Sequence, residues 1–139
     1  MGDSMREAGL AVYARMRTRE DAEKLAASAQ ADTFASPMAS LAVDWAFGAV
    51  WSRDGLERRD RSLVTIGTLI ALRQTDELRK HIQMGTRNGL TVREIREAII
   101  QSVPYVGFPA AATAMSVAHA ALAEIGIDPE ALSSEEIQR

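Results

Sequence analysis

A chain that contains Arg61–Leu72, RSLVTIGTLIAL, has to find a place for it away from water. On a helical wheel Leu63, Val64, Ile66, Leu69, Ile70 and Leu72 point in every direction, interrupted only by the small residues Ser62, Thr65, Gly67 and Thr68. A helix that is apolar all round belongs inside a core or an oligomer, not on a surface. Val64, Thr65 and Ile66 are β-branched and favour a strand. The run is long for a strand, however, and strongly helical sequence follows it, so it is read as a central helix around which the rest packs.

The remaining composition agrees with helices meeting at close range. Only 5% of the 139 residues are aromatic while alanine is abundant, and sheets would want bulkier β-formers. With 47% hydrophobic and 25% charged residues the chain suits one domain with one compact core. A formal net charge of -3 argues against a nucleic-acid surface. Arg53, Arg58, Arg59 and Arg61 are interleaved with Asp54, Glu57 and Asp60, which keeps their field local. No cysteine is present, so disulfides, thiolate metal sites and thiol redox cycles are all excluded. No apolar run approaches membrane-spanning length and MGDSMREAGL lacks a signal core; a cytoplasmic protein is the expectation.

In chain order, residues 4–30 read as one or two helices. A break at 32–37 leads, with Ser36 as cap and Pro37 at the first helical position, to a helix over 37–51 that carries Met38, Leu41, Ala42, Trp45 and Val50 at helical spacing, with Phe47 and Trp51 adding bulk, and should pack hard. Residues 73–75 connect the central helix to one over 76–88, stopped by Gly89. Thr91 and Glu94 form a capping box that starts a helix with Val92, Ile95, Ile99, Val103 and Val106 on one face. Pro104 predicts a kink or early ending there. Pro109 opens an alanine-rich helix that Gly126 ends, and 128–139 reads as a flexible acidic tail. The expected architecture is therefore an all-α, single-domain bundle of about six to seven helices spanning 1–139.

Two residues stand out for chemistry. On the wheel of their helix Glu77 and His81 share a line four residues apart at the margin of the buried face, with Asn88 and Gly85 beside them and Arg79, Lys80, Gln83 and Arg87 opposite. A carboxylate beside a half-buried imidazole orients the ring and favours its charged form, a workable proton-transfer pair; a solvated surface pair is the alternative. Gly85, one turn on, should leave space beside the ring. His119, among alanines, suits a satisfied core or interface position better than a ligand. Two histidines without carboxylates at ligand spacing make no metal site, and no glycine-rich phosphate loop or GxSxG elbow occurs. An arginine at the entrance of the central helix could clamp an anion.

Between Trp45 and Leu122, GLERRDRSL, ELRKH, NGLTVREIRE and YVGFPAA follow one another in an order that resembles the carboxymuconolactone decarboxylase family. The resemblance implies an alkylhydroperoxidase-D-like helical fold assembled as a homohexamer. It further implies cofactor-free decarboxylation of an anionic lactone, 4-carboxymuconolactone, to 3-oxoadipate enol-lactone in the protocatechuate branch of aromatic degradation. Carried onto this chain it makes His81 the catalytic residue and Glu77 its companion, acting without a metal; Arg58, Arg59, Arg61, Tyr105 and His119 are the substrate-binding candidates beside them. Arg73 stands where glycine is usual in the family, and Ala49, Pro104, Val106 and Ala112 depart from its pattern too, which leaves the exact substrate open. The thiol-peroxidase branch of the fold is excluded by the absence of cysteine. A related enzyme acting on another small acid and a non-catalytic helical oligomer are the remaining rivals.

Overall fold

A computed structural model of the chain describes residues 2–132; the predicted end of the acidic tail, 133–139, lies outside them. The described residues form seven α-helices and one π-helical segment, with no strand among them. The chain divides into two compact units, Met1–Arg58 and Arg59–Arg139. Where the sequence suggested one core, there are thus two sets of buried side chains.

The first unit holds α1 (Gly2–Met16), α2 (Arg19–Gln30), α3 (Ser36–Leu41) and the π-helical segment Ala42–Trp51 that continues α3 without a break. Thr18 caps α2, its hydroxyl accepting from the Asp21 amide at 3.0 Å. The helix predicted over 37–51 is present, but Ala35 rather than Ser36 holds the cap position, and the predicted packing face is wrong. Phe47 is buried as expected, but its buried neighbours are Val43 and Gly48, while Met38, Leu41, Trp45 and Val50 are exposed. The reason is geometric. Hydrogen bonds to the fifth residue give roughly 4.4 residues per turn, so positions 43 and 47/48 line up and an α-helical wheel misplaces the stripe.

Against that stripe lies α1, and the two backbones meet at glycines. A Cβ on Gly9 would land on the Val43 carbonyl oxygen, and one on Gly48 would land on the Met5 carbonyl oxygen. Arg6 on α1 closes the crossing with a two-pronged grip on Asp44, Nε to Oδ1 at 2.8 Å and Nη2 to Oδ2 at 2.7 Å. The guanidinium hydrogen bond holds the Asp44 carboxyl below its ordinary value. Tyr13 meets the edge of Phe47 with ring centroids 4.9 Å apart.

The second unit consists of α4 (Arg58–Leu72, with Arg58 at the boundary), α5 (Thr75–Arg87), α6 (Val92–Val106) and α7 (Phe108–Glu124). The central run is a helix, as its length and its neighbours predicted, but it is not buried all round. Ser62, Ile66 and Ile70 face inward, whereas Val64 and Leu72 are 63% and 62% exposed. Core side chains Ile66, Ile70, Leu78, Ile82, Ile95 and Ile99 meet an alanine face of α7, Ala111, Ala114, Ala118 and Ala121. Alanine at every third or fourth position is what lets α7 approach both α5 and α6. Fully burying each leucine or isoleucine contributes about 1.5–3 kcal/mol.

Helix boundaries in this unit follow local chemistry. Thr91 accepts from the Glu94 amide at 3.1 Å and Glu94 accepts from the Thr91 amide at 3.2 Å, the reciprocal box that starts α6. The early ending expected at Pro104 does not occur: α6 runs two residues further, to Val106. The carbonyl that Pro104 cannot serve belongs to Ile100, a residue that is 46% exposed.

Three helices end in one hydrogen-bond pattern. Gln74 N–H reaches Leu69 O at 3.1 Å behind α4, Leu90 N–H reaches Gly85 O at 2.9 Å behind α5, and Ile127 N–H reaches Leu122 O at 3.0 Å behind α7. The residue that turns the chain is left-handed in each case: Gly89 (φ 105°), Gly126 (φ 77°) and, behind α4, Arg73 (φ 57°). A side chain in that conformation costs roughly 1 kcal/mol.

Candidate active site

Helix α5 carries Asp76 and Glu77 in its first turn, where carboxylates complement the positive end of the helix, and Arg87 in its last. Two flanks of α5 are tied down by polar contacts. On one, Asn88 Nδ2 donates to the fully buried Ser62 hydroxyl of α4 at 2.9 Å. On the other, Gln83 Nε2 donates to the Ala121 carbonyl at 3.1 Å and to Glu124 Oε2 at 3.0 Å, and Arg79 Nη1 reaches the same carboxylate oxygen at 3.0 Å. The wheel had left Gln83 on the solvent side. It is buried against α7, because α5 is covered on more of its circumference than its apolar residues alone suggest.

His81 lies on the Asn88 flank and is 8% exposed. Its Nε2 stands 4.0 Å from Glu77 Oε2, one turn earlier. The other oxygen of that carboxylate, Oε1, accepts from Lys80 Nζ at 3.1 Å. Glu77 is therefore shared between an ammonium and the imidazole, with its own side chain half in water at 52% exposure. At 4.0 Å the pair interacts through charge and orientation rather than by a formed hydrogen bond. Such contacts are often long before substrate is bound. The arrangement suits a proton store: a ring shielded from bulk water, with a carboxylate beside it that solvent can reach.

Gly85 does not leave the space expected beside the ring. A Cβ there would sit 3.1 Å from Leu90 Cδ1 and 3.5 Å from Ile66 Cδ1, so the glycine is what lets α4 and Leu90 close on α5.

The other candidates are dispersed. Arg59 is held by Asp60, Nη1 to Oδ1 at 3.0 Å, and by Glu94 of α6, so both its free edges are occupied by carboxylates. Arg58 and Arg61 are half-buried at the start of α4. Tyr105, 80% exposed near the end of α6, projects into solvent. His119 was expected in a core or interface; in the chain its side chain is 59% exposed and pairs with Glu130, Nε2 to Oε1 at 3.3 Å. The alanines around it turn their small faces to α6, leaving the ring at the rim of a separate 280 Å³ cavity with Arg96 and Met115. Of the predicted set, only Glu77 and His81 are brought together. Lys80 is the contact that sequence reasoning missed; its i,i+3 spacing from Glu77 was the available signal. Among the described residues no group of three or more His, Asp or Glu side chains is placed to hold a metal ion.

Comparison with known proteins adds an independent line. The profile of the family described as "Carboxymuconolactone decarboxylase family" matches residues 36–120. A protein of Acinetobacter baylyi named 4-carboxymuconolactone decarboxylase is 44% identical over 91 residues, 66% of this chain and 68% of that one. A protein of Metarhizium robertsii named nitrosuccinic acid decarboxylase is 41% identical over 87 residues, 63% of this chain and 61% of that one.

Proposed function

The chain belongs to the carboxymuconolactone decarboxylase family, and from that premise we propose that it is a carboxy-lyase for a small anionic lactone, with 4-carboxymuconolactone as its substrate and 3-oxoadipate enol-lactone as product. The observation that carries the reading is the near-buried His81 beside a solvent-reachable Glu77 in the ELRKH segment, within the stretch that the family profile matches. Breaking the bond to the carboxylate releases CO₂ and leaves an electron pair spread through the unsaturated lactone toward its carbonyl oxygen. That pair is quenched by a proton delivered to carbon. His81 as imidazolium donates it, and Glu77 steadies the ring and hands on a replacement proton from solvent. Loss of the charged carboxylate calls for a low-polarity wall beside it, because an apolar setting disfavours the ion and releases neutral CO₂. No added cofactor takes part in this sequence. The substrate's remaining charge is received by an arginine at the start of α4, Arg58, Arg59 or Arg61.

The active species is a homohexamer in the cytoplasm, serving the protocatechuate branch of aromatic degradation. Exposed apolar side chains support association: Val64 and Leu72 on α4 and Phe108 and Tyr105 at the α6–α7 corner of the second unit. Among the described residues no helix is long and apolar enough to cross a membrane.

The test is an ultraviolet assay with 4-carboxymuconolactone generated in situ, following decay of the lactone and release of CO₂, with and without EDTA. Turnover that survives the chelator is expected. A folded oligomer that leaves the lactone intact overturns the substrate assignment. The Metarhizium relative favours one second reading, a nitro-substituted or other small dicarboxylic acid as substrate at the same histidine. Nitrosuccinate in parallel cuvettes separates the two.

A further inference from the structure

The strained turn at Arg73 has a chemical counterpart. Behind α5 and α7 the same turn is made by Gly89 and Gly126, for which a positive φ carries no steric penalty; behind α4 it is made by an arginine. A backbone conformation that favours glycine yet holds a long cationic side chain points to a use for that side chain. Arg73, itself exposed, lines a half-open cavity of about 140 Å³ between the end of α4, the start of α5 and the start of α7. The cavity is apolar on most sides, with Leu69, Ile70 and Leu78 facing Ala110 and Ala114. Its polar lining consists of Arg73, Thr75 and Thr113. Among the described residues none is hydrogen-bonded or ion-paired to any of these three side chains.

We propose that this cavity is a binding site for a small monocarboxylate with a compact apolar body. Cavities of about 150 Å³ hold a molecule of benzene size, roughly six heavy atoms. A planar guanidinium with no carboxylate of its own matches a ligand carboxylate through two parallel hydrogen bonds. The hydroxyls of Thr75 and Thr113, which also line the cavity, can donate to the same carboxylate, while the leucine, isoleucine and alanine side chains receive the apolar body. A phosphate would fill less of the apolar wall, and a neutral molecule would leave the guanidinium unanswered. Neither Glu77 nor His81 lines the cavity, so the site is distinct from the proposed catalytic pair and does not depend on the decarboxylase reading.

Isobutyrate, with six heavy atoms, is the probe, and isobutyramide its neutral counterpart. Ligand-observed NMR titration of the full-length protein should give saturable binding of isobutyrate with a dissociation constant on the order of 1 mM, about what so small a ligand can reach. Isobutyramide should bind at least tenfold more weakly. Arg73→Gly relieves the backbone strain, so it should melt no lower than the wild type while losing at least about tenfold in isobutyrate affinity, the loss that follows from deleting a charged hydrogen-bond partner. His81→Ala should bind isobutyrate as the wild type does. Equal binding of isobutyrate to Arg73→Gly and wild type, equal binding of acid and amide, or no saturation by the wild type would each overturn the site. Loss of binding in His81→Ala would overturn its separateness from the catalytic pair.

Discussion

His81 owes its setting to residues that do no chemistry. Gly85 allows α4 and Leu90 to close in, Ser62 and Asn88 lock the same flank, and the ring is left 8% exposed with one carboxylate beside it. If that ring delivers the proton, His81→Ala should lower kcat by roughly 10² to 10⁴ without loss of assembly, and Glu77→Gln, which keeps the shape and removes the charge, should lower it less. Steady-state kinetics beside thermal melts decide the matter; wild-type turnover in a folded His81→Ala oligomer would return the pair to a surface contact. The i,i+4 spacing of this pair was legible in the sequence, because it needs only the period of a helix, and so were the Thr91–Glu94 box and the glycines at 89 and 126. The left-handed Arg73 was legible only as a departure from the family's usual glycine, since no local rule predicts an arginine there. The exposure of His119 was not legible: it depends on which side of α7 the alanines turn to α6, and that is settled by tertiary packing.

Among the elements, the pairing of α1 with the π-helical segment shows where sequence periodicity stops helping. A helix over 37–51 with Phe47 packed was foreseeable from Pro37 and the apolar content, but the widened turn sets Val43 and Gly48 beside Phe47 on the buried stripe in place of Trp45 and Val50. Nothing in the residue types announces the change of period. What fixes the crossing is the absence of two side chains, at Gly9 and Gly48, where any Cβ would meet backbone carbonyl oxygen rather than a side chain able to rotate away. Gly48→Ala should therefore separate α1 from the segment and destabilise the first unit by about 3 kcal/mol or more, at the upper end of what overpacking costs. Gly67→Ala on α4, where a Cβ meets nothing within 4 Å, is the control and should be neutral or slightly stabilising. Equal melting temperatures for the two variants would mean that the backbones can part without loss.

For the molecule as a whole, the all-round apolar character of α4 is only half accounted for within one chain. Ile66 and Ile70 are inside, but Val64 and Leu72 stay in water, as do Trp45 and Met38 of the first unit. The expectation is a hexamer by light scattering at micromolar concentration, stable to dilution, and a stable monomer would count against the assembly proposed above. Helix α5 carries a further consequence. Its anchors to α7, Arg79 and Gln83, lie about 160° round the helix from His81 at about 100° per residue, with the core residues Leu78 and Ile82 between them. Grip and reactivity thus occupy opposite sides of one rod. Mutation can explore positions around the imidazole without disturbing the clamp on Glu124, and drift at the clamp need not reach the reacting groups. A helix divided in this way gives a lineage room to acquire new substrates while its scaffold stays under separate selection.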